Sequence, residues 1–302
     1  MPRPSTSATI VGAIAVLIWS TLALLTDGAK GIPPLQLLSM TFGIAFFVGY
    51  ALLRRSGENL ASLRDVPLVA WGLGATGLAG YHFFYFVALA NAPVVDASLI
   101  AYLWPLLIVV FSALLPEQTL RWFHILGASL GLIGAALLIV GDSTVDFRPR
   151  YSLGYAAAIA CALIWSGYSV LNRRFAAVRT QAVTGYCAVV SVLAFLAHLA
   201  FESSVSPTWS QAWHALALGL GPIGAALYFW DYGTKHGDLP VLGTLAYGAP
   251  LLSTLLLIVF GRAEPTWTIG LACLLIGLGA LIASARHWRT PTPPPDSPPP
   301  AE

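Results

Sequence analysis

Ala101-Tyr102-Leu103-Trp104-Pro105-Leu106-Leu107 returns 145 positions later as Ala246-Tyr247-Gly248-Ala249-Pro250-Leu251-Leu252. Both copies read A-Y-x-x-P-L-L, and each lies inside a long apolar segment with its proline near the middle. A proline there has no N–H to give, and its ring collides with the carbonyl four residues back, so a helix kinks or breaks. Matched interruptions in two membrane helices are the sequence pointer to a transporter's binding site near the bilayer midplane. The reading expects Pro105 to free the carbonyl of Ala101 and Pro250 that of Ala246, with both prolines acting as hinges.

Working outward, 57% of the 302 residues are hydrophobic and 9% are charged, and the mean hydropathy is +0.77. Soluble domains carry about a quarter charged residues, so the chain is expected to be a polytopic membrane protein. A bilayer core takes roughly 20 apolar helical residues. Ten spans of that kind are predicted: Thr9–Thr26, Leu35–Leu53, Pro67–Ala90, Ala97–Leu115, Trp122–Val140, Leu153–Leu171, Ala182–Phe201, Ala212–Thr234, Pro240–Phe260 and Trp267–Ala285. The runs are unbroken rather than alternating, which favours helices over a barrel. No small-residue cleavage site follows the first run, so it is expected to be a retained helix.

The repeat reaches beyond the opening motif. Leu17-Ile18-Trp19-Ser20 in span 1 matches Leu163-Ile164-Trp165-Ser166 in span 6, Tyr85-Phe86 matches Tyr228-Phe229, and Leu132-Ile133-Gly134 matches Leu275-Ile276-Gly277. Two five-span halves follow, residues 9–140 and 151–286. Five is odd, so the second half enters the membrane upside down, an inverted repeat of the transporter kind. With a cytoplasmic N-terminus, eleven lysines and arginines fall inside and four outside, so the positive-inside rule puts both termini in the cytoplasm. Six of ten tryptophans (Trp71, Trp122, Trp209, Trp213, Trp267, Trp288) fall near span ends as an interfacial belt. Residues 287–302 are proline-rich with nothing apolar to bury, and are expected to be disordered.

Three tryptophans, Trp19, Trp104 and Trp165, lie well inside spans, where a ring with a donor N–H serves packing or substrate stacking. Span 3 adds Tyr81, His82 and Tyr85, spaced to share a helix face. Tyr168 in span 6, Tyr228 in span 8, and Tyr102 and Tyr247 beside the kinking prolines complete the expected substrate-binding set. For each tyrosine, a cavity-lining role stands beside helix packing. For His82, a substrate hydrogen bond, a proton relay and packing are the three readings. Tyr102 and Trp104 are two apart, about 200° around a regular helix, so both can face one cavity only if the kink reorients one. The other histidines lie near span ends or in loops (His124, His198, His214, His236, His287) and are expected to be solvated. Asp231, the one carboxylate inside a span, has Lys235 four residues on, which favours a helix ion pair over a coupling-proton site. The glycine-rich spans 5 and 10 are expected to be packing helices outside the cavity.

The three cysteines have no paired spacing, so neither a disulfide framework nor a metal site is expected. No G-x4-G-K-[ST] or H-E-x-x-H motif occurs. No catalytic residue, cofactor or nucleic-acid partner is expected, and the chain is read as something other than an enzyme.

Ten spans in two inverted halves, the Tyr85-Phe86-x-Ala88-Leu89 run, the mid-span prolines of spans 4 and 9, and Glu117 and Glu264 beyond those spans resemble the drug/metabolite transporter superfamily, EamA type. Leu-Ile-Trp-Ser and Ala-Tyr-Leu-Trp-Pro make the chain similar to the bacterial aromatic amino acid exporter branch. The resemblance covers about residues 9–286. It implies a multi-pass protein of the bacterial inner membrane, with a central cavity among spans 1, 3, 4, 6, 8 and 9. It also implies export of aromatic and other neutral amino acids by alternating access, as a monomer. Small multidrug exporters of the superfamily rely on a glutamate in their first helix; span 1 here has no carboxylate, which disfavours cation–proton antiport. Transport without tight ion coupling is therefore expected. The alternatives are a proton-coupled exporter of another small metabolite or drug, and a membrane sensor or scaffold that moves nothing.

Overall fold

A computed structural model describes residues 4–116, 120–141, 148–261 and 264–283. Glu117, His287, Trp288 and the proline-rich 287–302 segment lie outside these residues. Among the described residues all regular structure is helical and no strand occurs. The helices are α1 (Thr6–Trp19), α2 (Leu22–Gly28), α3 (Pro34–Arg55), α4 (Leu68–Asn91), α5 (Val94–Ala101), α6 (Trp104–Ser112) and α7 (Trp122–Val140). They continue as α8 (Ser152–Leu171), α9 (Ala182–Phe201), α10 (Trp209–Leu220), α11 (Ala226–His236), α12 (Leu239–Ala246), α13 (Gly248–Val259) and α14 (Trp267–Ala283).

Taken across their interruptions, nine helical stretches among the described residues are long and apolar enough to cross a bilayer. The tenth expected span, Trp267–Ala285, is helical throughout its described residues, Trp267–Ala283. The outside is apolar, as lipid requires, and Trp122, Trp209 and Trp267 open their helices 73%, 88% and 78% exposed. Trp71 departs from the expected belt. It is half-buried, with its indole N–H on the Leu63 carbonyl at 3.2 Å.

Four spans are interrupted. α5 stops at Ala101 and α6 starts at Trp104, while α12 and α13 are separated by Tyr247 alone. The breaks thus fall just before Pro105 and Pro250, which sit in the first turns of α6 and α13, where a missing N–H costs nothing. Span 1 also breaks, between α1 and α2. The hydroxyls of Ser20 and Thr21 turn back onto the carbonyls of Leu17 and Ile18 at 2.5 and 2.8 Å, and such back-bonding competes with the helical ladder. In the eighth span a π turn, Gly221–Ala225, joins α10 to α11. It holds Pro222, which cannot donate to a regular ladder.

Two glycine crossings bring helix backbones together. A Cβ on Gly279 would stand 2.4 Å from the Gly127 carbonyl oxygen, so α7 and α14 touch backbone to backbone. A Cβ on Gly233 would stand 2.5 Å from the Gly12 Cα, which does the same for α1 and α11. Small residues give membrane helices this close approach where no hydrophobic effect drives them together.

Two histidines expected to be solvated are buried instead. His124, 2% exposed, accepts from the Arg121 N–H at 3.2 Å at the start of α7. His198, 3% exposed, lies between Glu202 and Ser204, 2.9 Å from each. Glu202 also accepts the N–H groups of Leu35 and Gln36 at 3.0 and 3.1 Å, capping the start of α3 from the end of α9. A carboxylate there satisfies orphan donors and meets the positive end of the helix dipole.

Candidate functional site

The helix interruptions place four tryptophans against one another. Trp19 ends α1 at the span 1 break, and Trp104 begins α6 just past the span 4 break. Trp165 comes from α8 and Trp230 from α11. Trp19 lies 6.4 Å from Trp104, 5.9 Å from Trp165 and 5.1 Å from Trp230, between ring centroids. Trp104 lies 6.3 Å from Trp165 and 5.9 Å from Trp230, both edge to face. These are favourable aromatic geometries, with the positive edge of one ring on the negative face of the next.

The four indole N–H groups are used differently. Trp19 donates to the Pro222 carbonyl in the π turn at 3.0 Å, and Trp230 donates to the Ser169 hydroxyl at 3.0 Å. Trp104 and Trp165 make no hydrogen bond among the described residues, yet neither nitrogen is sealed away from solvent. Their side chains are 7% and 5% exposed. Each therefore keeps a small part of its surface, the N–H included, accessible.

A second tier extends from Trp165. Tyr81 is 5.3 Å away and Tyr168 5.5 Å. Tyr81 stacks on Tyr85 with 5° between their planes, and meets His82 edge to face. The break between Tyr102 and Trp104 brings those rings to 6.4 Å, which resolves the 200° objection. Eight of the ten expected residues (Trp19, Tyr81, His82, Tyr85, Tyr102, Trp104, Trp165, Tyr168) thus form one connected ring network. His82 Nδ1 is 2.8 Å from the Leu78 carbonyl. A carbonyl only accepts, so in the neutral ring Nδ1 carries the proton and Nε2 presents a lone pair.

Tyr228 and Tyr247 stand apart from that network. Tyr228 pairs its hydroxyl with Thr184 of α9 at 2.8 Å. Tyr247 is fully buried, and its hydroxyl accepts the Leu106 N–H at 3.1 Å. Both positions spend their polar group on helix packing. The ring absent from the expected set is Trp230. The signal for it was the aromatic run Tyr228-Phe229-Trp230 beside the span's one carboxylate.

That carboxylate anchors a buried polar network one residue from Trp230. Asp231 and Lys235 pair at 2.8 Å with both side chains sealed from solvent, as the i, i+4 spacing expects. Asn172 donates to Asp231 at 3.0 Å and to Thr234 at 3.1 Å, and Lys235 also donates to the Val178 carbonyl at 2.9 Å. Buried charges survive only with such pairing. A cleft of about 340 Å³ lies away from the rings, between residues 58–67 and 177–182. None of the expected site residues lines it.

Broken apolar spans around a ring-rich interior are the build of a membrane transporter. The EamA-like transporter family matches the chain twice, over residues 6–140 and 152–285, and the chain belongs to that family. Among its relatives is the aromatic amino acid exporter YddG of Ancylobacter novellus, 50% identical over 279 residues, which cover 92% of this chain and 97% of that protein. The aromatic amino acid exporter YddG of Escherichia coli is 21% identical over 91% of this chain and 96% of its own. The pseudopaline exporter CntI of Pseudomonas aeruginosa is 28% identical over 72% of this chain and 74% of its own. A crystal structure of a protein 48% identical to this one aligns with a TM-score of 0.88, over 94% of this chain and 99% of that one.

Proposed function

We propose that this protein exports aromatic and other neutral amino acids across the bacterial inner membrane by alternating access, without tight ion coupling. Its working form is ten membrane helices in two inverted five-helix repeats, residues 9–140 and 151–286, with both termini cytoplasmic. The observation that carries the reading is the tryptophan cluster, in which Trp104 and Trp165 keep their N–H groups free. An aromatic side chain stacks on these rings, and the two N–H groups and the Tyr102 hydroxyl face its carboxylate. His82 Nε2 accepts from its ammonium. Pro105 and Pro250 mark the hinges about which the halves rock. The double match to one family and the exporters among the relatives support the same assignment. The reading of no tight coupling is supported by Asp231, whose charge is committed to Lys235 and Asn172.

The test is exchange of radiolabelled phenylalanine, tyrosine or tryptophan in liposomes holding the purified protein, with and without a pH gradient. We expect exchange that ignores the gradient and is weakened by Trp165→Ala. Absence of flux for every neutral amino acid would discard the assignment.

A further inference from the structure

The two copies of A-Y-x-x-P-L-L carry one motif in two different conformations. In the first, Tyr102 and Leu103 both lie outside helix, and α6 begins at Trp104. In the second, only Tyr247 lies outside, and α13 begins at Gly248. The break in span 4 is therefore one residue longer than the break in span 9. That residue changes the standing of one amide. Leu106 is the third residue of α6, so its N–H is among the orphan donors of a helix start. Its counterpart Leu251 is the fourth residue of α13, where the i to i−4 acceptor is the Tyr247 carbonyl.

The orphan has a partner from the other half. Tyr247, the motif tyrosine of the second copy, reaches across and accepts the Leu106 N–H at 3.1 Å. The reciprocal bond is not made. The hydroxyl of Tyr102, the motif tyrosine of the first copy, makes no hydrogen bond among the described residues. Tyr102 nevertheless packs, together with Leu251, on the small core that encloses Tyr247. Tyr102 and the residue whose amide it would cap, Leu251, thus pack on the same cluster.

We propose that Tyr102 and Tyr247 are alternating helix caps. In the state described here Tyr247 holds open the long break of span 4. In the state of opposite access the halves exchange conformations: α13 shortens by one residue, the Leu251 N–H is released, and the Tyr102 hydroxyl accepts it. Tyr247 then lets go of Leu106, whose N–H returns to the Tyr102 carbonyl as α6 lengthens. This rests on the inverted-repeat reading above, since two inverted halves that trade conformations also trade the side of the membrane they open to. Each tyrosine then stabilises one end state by one neutral hydrogen bond, which shifts the balance between states about fivefold.

The test compares Tyr247→Phe and Tyr102→Phe with the unaltered protein by hydrogen–deuterium exchange in lipid nanodiscs, without substrate. Both substitutions keep the ring and remove one hydroxyl. Tyr247→Phe should raise exchange on the membrane side that is closed here and lower it on the other. Tyr102→Phe, although its hydroxyl bonds to nothing in this state, should give the reverse map. Maps of the same sign would mean general loosening and would overturn the proposal. So would a Tyr102→Phe map identical to the unaltered protein. Because no substrate is present, failure of the exporter assignment in the liposome assay leaves these maps readable.

Discussion

Replacing each cluster tryptophan in turn by phenylalanine should separate rings that hold the fold from rings that hold a substrate. Every such change removes the same fused ring and one N–H, so the four differ only in what that N–H does. Trp230→Phe strands the Ser169 hydroxyl, which is fully buried and takes the indole N–H at 3.0 Å. A buried polar group left without its partner costs about 1–3 kcal/mol. Trp19→Phe strands the Pro222 carbonyl in the same way. Trp104→Phe and Trp165→Phe strand nothing in the protein, so their stability loss should be smaller than the other pair's by that amount. Their cost should fall on the ligand, where losing one hydrogen bond of about 0.5–1.5 kcal/mol weakens binding roughly two- to tenfold. Thermal unfolding in detergent reads the first quantity, and scintillation proximity with radiolabelled phenylalanine reads the second. The reasoning fails if Trp165→Phe destabilises as much as Trp230→Phe while affinity is unchanged.

Lys235→Met leaves the Asp231 carboxylate buried without its cation and should cost about 3–5 kcal/mol, whereas Asp231→Leu with Lys235→Met should recover most of that loss; the melting temperatures of the two variants check it. Gly279→Val places a Cβ 2.4 Å from the Gly127 carbonyl oxygen, so α7 and α14 must part, at a cost of about 1–3 kcal/mol visible in the same assay. Glu202→Ala removes the acceptor of two N–H groups at the start of α3 and should cost about 1–2 kcal/mol, while Glu202→Gln, which keeps an acceptor oxygen, should cost less.

The membrane-crossing plan is legible in the sequence because it rests on local quantities. A run of apolar residues long enough for a bilayer needs no knowledge of its neighbours, and neither does a tryptophan at its end or a proline in its middle. Much of the ring network is legible for a related reason: large aromatic and polar side chains deep in a span have few uses besides packing and binding. What stays hidden depends on pairs distant in sequence. Nothing around Tyr247 says that its hydroxyl is taken by an amide 141 residues away, or around Tyr228 that Thr184 waits for it. His198 sits at a helix end and looks solvated until Glu202, anchored by the start of α3, closes over it. The break at Ser20-Thr21 is local but weakly marked, since the same two hydroxyls in a straight helix would face outward without consequence.

The π turn before α11 has an implication for how the molecule came to bind anything. Such a turn carries one more residue than the helix around it needs, and one residue is worth about 100° of rotation. Were the same residues of Gly221–Ala225 wound as regular α-helix, everything downstream would swing by more than a quarter of a circle. Trp230 would leave the other three indoles, and Asp231 would face a direction where Asn172 is not. The meeting of four rings is thus owed to a turn that absorbs a surplus residue, and inserting one further residue in α11 ahead of Trp230 should abolish binding while leaving every aromatic side chain in the protein.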